Sequence, residues 1–332
     1  MNSAYRLFGN ELSPYSVKVR SYLRFKGLEH QWLVRNATTE EEFARYAKLP
    51  LIPLLLTPQG EALQDSTPII ETIEAREPEP SITPPDPVLG FVSALIEEYA
   101  DEWLNKPMFH YRWFYEEDAA SAAERLAESL MPEADRSAAA AMIRQRMVPR
   151  LRFVGSSNDT KATIEESYLR LLGLLEEHLQ SRRYLLGERP ALADFGLYGQ
   201  LYQCLSDPTP GQILRQRAPR VVAWIEQMSA PRNLGPFEEW GTLAPTLEPL
   251  VREIGEVFIP WTLANERALH SGSDTLEVVI RGRTFRQTPQ KYHAKSLAML
   301  RAKFASVASN PELRHLLERC GCLSALTAVQ HL

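Results

Sequence analysis

The spacing of apolar residues differs between the first part of this chain and the rest, and a proline-rich stretch separates the two regions. Up to residue 77, short apolar runs alternate with segments whose apolar residues recur every three or four positions, which predicts strands alternating with helices. Prolines occupy five of the ten positions 78–87, which predicts a stiff linker. From 88 to 240 the helical spacing dominates, and this predicts an all-helical domain.

The first part of the chain predicts a small sheet. Its elements read strand, helix, strand, helix, strand, strand, helix, and Pro58-Gln59-Gly60 marks the turn of a hairpin between the last two strands. Such an order gives a four-stranded sheet covered by helices, so the whole chain is expected to have an α+β fold.

Residues 241–332 form a third portion of about 92 residues. A hairpin is predicted around Arg281-Gly282, followed by helices at Tyr292–Val307 and Pro311–Arg319, and only a few short helices are expected. A core of this size is marginal on its own. We therefore expect this C-terminal extension to pack on the helical domain.

Charge and targeting signals indicate which partners and which cellular location to expect. The chain has 37 lysines and arginines against 42 aspartates and glutamates, a net charge of −5, which argues against nucleic acid as a partner. The longest apolar run has eight residues, which predicts no membrane span. The N-terminus lacks the basic start and apolar core of a secretion signal, and three cysteines cannot all pair. These features predict a cytoplasmic location.

Three short motifs occur in order in the first part of the chain: Ser13-Pro14-Tyr15-Ser16, Ile52-Pro53, and Gln64-Asp65-Ser66-Thr67-Pro68. Tyr184-Leu185-Leu186-Gly187 and Pro190–Phe195 follow in the helical part. As an ordered set, from Tyr5 to about Ala230, they resemble the cytosolic glutathione transferases. The resemblance implies a thioredoxin-like glutathione-binding domain at 1–77, a linker at 78–87, the family's all-helical domain at 88–240 and an additional extension at 241–332.

Ser13 is the candidate catalytic residue. Glutaredoxins, on the same fold, carry two cysteines where this chain has Ser13 and Ser16, and a hydroxyl cannot perform thiol–disulfide exchange. The resemblance to the serine-type classes implies that Ser13 donates a hydrogen bond to the thiolate of glutathione, aided by the helix N-terminus. The alternative is that Ser13 caps the helix, with Pro14 at its first position. Both roles can coexist.

The other motifs are implied to hold glutathione, the co-substrate. Ile52-Pro53 resembles the family's cis-proline turn, which exposes the backbone of Ile52 to an extended peptide; the alternative is an ordinary trans proline. Asp65 and Ser66 match the acidic–serine pair that binds the γ-glutamyl end. The alternative for that pair is capping of the next helix by Ser66 or Thr67.

Two positions depart from the family pattern. Leu51 stands where several classes place a lysine that binds the glycine carboxylate, and Lys48 or Arg35 is the candidate substitute. Tyr15 is a further candidate for contact with glutathione. Ala191 replaces the serine or threonine of a helix-capping box, so another group is needed to satisfy that helix end.

Between residues 99 and 115, seven of 17 residues are aromatic, against 9% for the whole chain. In the resembled family the corresponding helices line the electrophile pocket, so Phe109, His110 and Trp113 are the candidate pocket residues. The alternative is that they form the core of the helical bundle. No pair of histidines has zinc-binding spacing, and no metal is expected.

The sequence thus favours a glutathione transferase-like enzyme that activates the thiol of glutathione for attack on an apolar small-molecule electrophile. The family also implies a possible homodimer. A lyase, isomerase or dehalogenase using glutathione would leave the same motifs. The alternative from another class is a non-catalytic binding or scaffolding protein with this fold, which Leu51 and the long extension favour.

Overall fold

The computed structural model describes residues 4–328. Its first part is a four-stranded sheet in the order β2-β1-β3-β4, in which β1 and β2 are parallel and the other pairs antiparallel. This part confirms the predicted order of elements: β1 (Tyr5–Gly9), α1 (Pro14–Phe25), β2 (His30–Val34), α2 (Glu40–Tyr46), β3 (Leu54–Leu56), β4 (Ala62–Gln64) and α3 (Ser66–Arg76).

The register of the sheet brings the three sequence motifs to one edge. Phe8 on β1 pairs with Leu54 on β3, and Leu54 pairs with Gln64 on β4. At this edge β1 ends, β3 begins and β4 ends. The segment after β1, the segment before β3 and the segment after β4 carry the three motifs, so they start from neighbouring points.

The second part is helical: α4 (Pro87–Glu102), α5 (Asn105–Phe114), α6 (Glu116–Leu130), α7 (Arg136–Met147), a 3₁₀ helix (Val148–Val154), α8 (Lys161–His178), α9 (Leu192–Ser206), α10 (Pro208–Arg217) and α11 (Pro219–Met228). The apolar spacing from Val88 to Trp113 predicts one continuous helix. That prediction is wrong, because the chain turns at Trp103 and Leu104 and continues as a second helix. Helix α9 packs on both α4 and α1, and so joins the helical part to the sheet part.

The N-terminus of α9 shows how the chain compensates for Ala191. The Asp194 carboxylate accepts the N–H groups of Ala191 and Leu185, both at 2.9 Å. Ala191 has no side-chain oxygen to accept the N–H of Ala193. Instead the Ser93 hydroxyl, on α4, accepts that N–H at 3.0 Å. A residue of a neighbouring helix thus supplies the missing half of the capping box.

The extension consists of α12 (Trp240–Ser271), a hairpin of β5 (Leu276–Ile280) and β6 (Arg283–Gln287), α13 (Lys291–Ala305), α14 (Pro311–Arg319) and α15 (Leu323–Thr327). The hairpin and the two later helices confirm the prediction. The expectation of short helices only is wrong, because α12 has 32 residues and contains three prolines. The apolar residues of α12 are buried against α4 and α8, and this packing sustains a helix that its prolines oppose.

A buried polar group fastens the extension to α5. The Lys106 ammonium donates to Gln287 Oε1 at 2.9 Å and lies 3.7 Å from the centre of the Trp261 ring. The Trp261 indole N–H donates to the same oxygen at 3.1 Å. Burial lowers the pKa of Lys106 well below its usual range, while the Trp261 face favours the charged form.

The role of Ser93 can be tested by substitution. Ser93→Ala leaves the Ala193 N–H buried without an acceptor, so we expect the free energy of unfolding to fall by about 1–3 kcal/mol. Adding Ala191→Ser to this variant restores a capping hydroxyl at the helix itself and should recover most of the loss. Urea denaturation of the wild type, both single variants and the double variant measures this. A double variant no more stable than Ser93→Ala would show that the loss comes from packing.

Candidate functional site

Ser13 begins α1 and uses its oxygen, but not its hydrogen, within the protein. Its Oγ accepts the backbone N–H of Ser16 at 3.3 Å and the Ser16 hydroxyl at 2.9 Å. Among the described residues no group accepts the hydrogen of Ser13. The side chain is half-buried at the N-terminus of a 12-residue helix. Ser13 therefore caps α1, which confirms the capping interpretation, and it still has a donor for a ligand, so its catalytic role stays a prediction.

The turn before β3 contains a cis Ile52-Pro53 bond, which is the form that the family resemblance implied and not the trans alternative. Ile52 is partly exposed, and its backbone makes no backbone hydrogen bond with the described residues. The Gln64 side chain holds the loop ahead of it: its Nε2 donates to the carbonyls of Leu49 and Leu51, both at 2.7 Å. Gln64 Oε1 accepts the N–H groups of Lys48 and Leu49. The loop is therefore fixed, and the Ile52 backbone remains available to an extended peptide.

The two candidate cations near this loop differ in whether their charge is already paired within the protein. The Arg35 guanidinium is paired with Glu40 at 2.8 Å and donates to the Pro50 carbonyl at 2.7 Å. The Lys48 side chain is exposed and makes no ion pair with residues 4–328. Leu51 is 60% exposed, with no charge to offer. Of the two candidates, Lys48 has its charge available to a ligand.

Asp65 is the N-cap of α3 and has an unusual backbone, with φ of 80° and ψ of 139°. Its Oδ1 accepts the Ser66 N–H at 2.7 Å. Thr67 is directed elsewhere, because its hydroxyl donates to Glu97 at 2.5 Å. The Ser66 hydroxyl is buried and has no partner among the described residues. The helix is thus capped by Asp65, whereas the alternative prediction assigned the cap to Ser66 or Thr67.

A buried ion cluster lies beneath the site. The Lys18 ammonium, on α1, is 2.5 Å from a Glu97 carboxylate oxygen and 2.6 Å from one of Asp101. Burial alone raises carboxyl pKa values, but the Lys18 charge more than offsets it at Glu97, whose pKa is lowered. At Asp101 burial prevails and raises the pKa to about 7. This cluster joins α1 of the sheet part to α4 of the helical part, and Thr67 on α3 is hydrogen-bonded to it.

Tyr15 points to the helical part. Its hydroxyl donates to the Asp101 backbone carbonyl at 3.0 Å, and the amides of Asn105 and Gln200 lie beside it. Burial, together with the Asp101 carboxylate, raises the pKa of the Tyr15 phenol well above its usual range. Tyr15 is thus a neutral donor at the boundary between the two parts of the chain.

The apolar candidates lie close to the Ser13 loop. Phe109 and Trp113 are one turn apart on α5, with ring centres 6.2 Å apart. Both belong to an apolar cluster that includes Leu12, the residue before Ser13. Trp113 is only 2% exposed, whereas Phe109 and Leu12 are partly exposed. Of these three residues, Phe109 and Leu12 therefore expose apolar surface, whereas Trp113 belongs to the core of the cluster.

His110 is inside the bundle. It is fully buried, with Nδ1 2.7 Å from the Ser156 hydroxyl and Nε2 3.2 Å from a Glu165 oxygen. This is the order of a serine–histidine–acid triad. However, the N–H groups of Ser156 and Ser157 are already donated to other groups of the protein, so they cannot stabilise an oxyanion. His110 ties α5 to α8 and does not line a surface beside Ser13.

The extension reaches the candidate site through α13. The Tyr292 hydroxyl donates to the second oxygen of Asp65. Further along the helix, Ser296 donates to Glu98 and Lys303 pairs with Glu71 at 2.7 Å. Helix α13 therefore begins beside Asp65 and contacts both α3 and α4 along its length.

Three residues that shape this site were not predicted from the sequence. Gln64 stood within a recognised motif, and a polar side chain at a strand end was the signal for it. Lys18 stood between Val17 and Val19 on the apolar stripe of a predicted helix, a position at which a charge requires a buried partner. Tyr292 carried no signal, because it lies 227 residues from Asp65.

Residues 4–328 also bear on metal binding and on association with a membrane. No group of three or more histidine, cysteine, aspartate or glutamate side chains there is arranged to hold a metal ion. No helix in the same range is long and apolar enough to cross a membrane.

Comparison with known families identifies both parts of the chain. Residues 12–76 match the glutathione S-transferase N-terminal domain, and residues 134–227 match the glutathione S-transferase C-terminal domain. The chain is therefore a glutathione S-transferase-like family member, with a thioredoxin-like N-terminal domain followed by a helical C-terminal domain. The extension from residue 241 lies outside both matches.

Several solved structures are similar at low identity. A glutathione S-transferase from Methylobacterium radiotolerans, in complex with glutathione sulfonate, is 23% identical, with 74% of this chain and 94% of that chain covered and a TM-score of 0.42. The β-etherase LigF from Sphingobium is 19% identical, with 69% and 96% covered and a TM-score of 0.47. FzlA from C. crescentus is 20% identical, with 75% and 92% covered and a TM-score of 0.44. A comparison with curated proteins found no match.

The contact between α13 and α4 should depend on pH. Burial raises the pKa of Glu98, which accepts the Ser296 hydroxyl, to about 8, and the nearby Glu97 and Asp101 charges add to the shift. If α13 detaches, Glu98 meets water and its pKa falls toward the ordinary glutamate value of about 4.3. The docked state thus holds a proton that the detached state releases, so docking should weaken as pH rises from about 5 to about 8.

Hydrogen exchange of residues 291–305, corrected for the intrinsic rate at each pH, measures this docking. We expect protection to fall by up to about tenfold per pH unit in the wild type and much less in Glu98→Gln. Glu41→Gln, at an exposed position of α2, serves as the control and should behave like the wild type. Protection that is independent of pH in the wild type would contradict the assignment.

Proposed function

We propose that this protein is a serine-type glutathione transferase-like enzyme. It binds glutathione at the edge of the sheet, ionises its thiol beside Ser13 and directs the thiolate to an apolar electrophile. The observation that carries the proposal is the Ser13 hydroxyl, whose oxygen accepts two hydrogen bonds while its hydrogen has no acceptor among the described residues. The match of residues 12–76 to the glutathione S-transferase N-terminal domain supports the choice of glutathione.

The thiol chemistry needs only a modest electrostatic effect. A free cysteine thiol with a pKa of about 8.5 is about 3% ionised at pH 7, whereas a pKa of about 6.5 makes it about 75% ionised. That change corresponds to about 2.7 kcal/mol of preferential binding of the thiolate. One hydroxyl donor and the N-terminus of α1 are together sufficient for this.

The rest of the tripeptide has suitable partners in the proposed pose. The backbone of Ile52 offers an N–H and a carbonyl to the cysteinyl residue, as an edge strand would. Asp65 faces the ammonium of the γ-glutamyl end, and the Ser66 hydroxyl, which lacks a partner among the described residues, faces its carboxylate. Lys48 is the proposed partner of the glycine carboxylate, because its charge is uncommitted within residues 4–328.

The electrophile is proposed to be apolar because of what adjoins Ser13. Leu12 and Phe109 are partly exposed and lie in one apolar cluster. The Arg112 guanidinium donates to the Leu12 carbonyl at 2.9 Å and holds the loop against α5. An apolar substrate on these side chains would lie next to the thiolate without burying an unpaired polar group.

A non-catalytic binding protein with the same fold is the second candidate. Two observations favour it: Leu51 brings no charge to the loop, and Tyr292 already occupies one oxygen of Asp65. A protein of this kind would bind a partner or ligand without turnover. The titration below separates the two candidates, because only the enzyme needs to shift the pKa of a bound thiol.

Ser13→Ala should raise the pH at which bound glutathione ionises. The variant loses the donor to the thiolate, so the midpoint of the ultraviolet thiolate absorbance of bound glutathione should rise by about one to two pH units, with a matching loss of turnover at neutral pH. Ser13→Thr keeps a hydroxyl and should stay close to the wild type. Identical midpoints in the wild type and Ser13→Ala would reduce Ser13 to a helix cap.

Asp65→Asn should weaken glutathione binding by about 1.5–3 kcal/mol, because the ammonium loses a charge-assisted partner. The melting temperature should change little, since asparagine caps a helix as well as aspartate does. Asp86→Asn is the matched control, because Asp86 also caps a helix, accepting the Leu89 N–H at 2.9 Å, but makes no side-chain hydrogen bond to Ser13, Ile52, Asp65 or Ser66. Calorimetry showing equal affinity in all three proteins would leave Asp65 with a capping role alone.

A further inference from the structure

The Tyr292 side chain brings the extension into the candidate glutathione site. Tyr292 is the second residue of α13, and its hydroxyl donates to Oδ2 of Asp65, while Oδ1 accepts the Ser66 N–H at 2.7 Å. A carboxylate has about four positions at which it can accept a hydrogen bond, and these two contacts use two of them. Asp65 therefore still has capacity for an ammonium group.

Tyr292 is held in place by the rest of its helix. Ser296 donates to Glu98, Lys303 pairs with Glu71 at 2.7 Å, and Phe304 packs on Phe91 with ring centres 5.4 Å apart. These contacts lie on α3 and α4, the helices that border the site. The tyrosine hydroxyl is thus positioned before any ligand arrives, which reduces the entropy lost on binding.

The exposure of Tyr292 and Asp65 shows whether Tyr292 positions Asp65 or acts as a plug, that is, a side chain that fills the ligand's place. A side chain that filled the ligand's place would itself be buried, but Tyr292 is 54% exposed and Asp65 is partly exposed. Next to them the Ser66 hydroxyl is buried and has no partner in the described part of the chain. Asp65 is therefore still accessible to a ligand's amino group, and the Ser66 hydroxyl beside it has hydrogen-bonding capacity that the described residues do not use.

We propose that Tyr292 is a specificity-determining residue of the glutathione site, and that the extension thereby completes it. By donating to one oxygen of Asp65, Tyr292 fixes the carboxylate in the orientation that receives the α-amino group of the γ-glutamyl residue. Tyr292 acts through Asp65, and the proposal gives it no contact with the thiol of glutathione. This inference rests on the proposed function, since it concerns the same site.

The test compares two ligands that differ in one group. Glutathione and glutaryl-cysteinyl-glycine, which is glutathione without its α-amino group, are titrated by calorimetry into the wild type and Tyr292→Phe. We expect the variant to lose about 5- to 30-fold in affinity for glutathione. Its affinity for the glutaryl analogue should be unchanged, because that ligand has no ammonium for Asp65 to receive.

Ser296→Ala is the control for the docking of α13, because it removes a contact of the same helix but none to Asp65. Its ratio of affinities for the two ligands should equal that of the wild type. Tighter glutathione binding in Tyr292→Phe would mean that the tyrosine is a plug, and an equal loss for both ligands would mean a general structural role. An unchanged glutathione affinity, or either of those results, overturns the inference. A wild type that binds no glutathione refutes the proposed function itself, and with it this inference.

Discussion

The buried pairing of Lys18 with Glu97 and Asp101 underlies the arrangement of the rest of the site. Lys18 lies on the helix that Ser13 begins, and the two acids lie on the first helix of the other domain. Thr67, just after Asp65 and Ser66, joins the same cluster by donating to Glu97. Removing Lys18 would leave the two buried acids without their cation, at a cost of about 3–5 kcal/mol. The same buried contacts consequently fix both the orientation of the two domains and the positions of the helices that carry the site residues.

Sequence predicted the parts of the fold that depend on neighbouring residues. The hairpin around Arg281-Gly282 and the helix at Pro311–Arg319 follow from turn chemistry and capping, which act over a few residues. The long helix α12 was missed because three prolines interrupt its local pattern, and only burial against other helices makes it continuous. The break after Trp103 was missed for the opposite reason, since its apolar spacing continues through a turn that tertiary packing imposes.

The same division holds within the site. Ser13, Ile52 and Asp65 were predictable because a short motif places each of them at the end of a strand or the start of a helix. Ser93 and Tyr292 were not, because each acts on a residue 100 or more positions away in the chain. Contacts of that kind have no local pattern, and they emerge only when the complete chain packs.

The backbone of Asp65 has a consequence for how this position can change. A φ of 80° places a side-chain-bearing residue in a region that glycine occupies without cost, and such strain amounts to about 1–3 kcal/mol. Asp65→Gly would relieve the strain but abolish the carboxylate. If Asp65 receives the ligand's ammonium as proposed, relief of backbone strain and ligand recognition favour different residues at this position. A lineage that lost the ligand would be free to drift to glycine here, so the identity of this single residue in relatives is a record of whether recognition was retained.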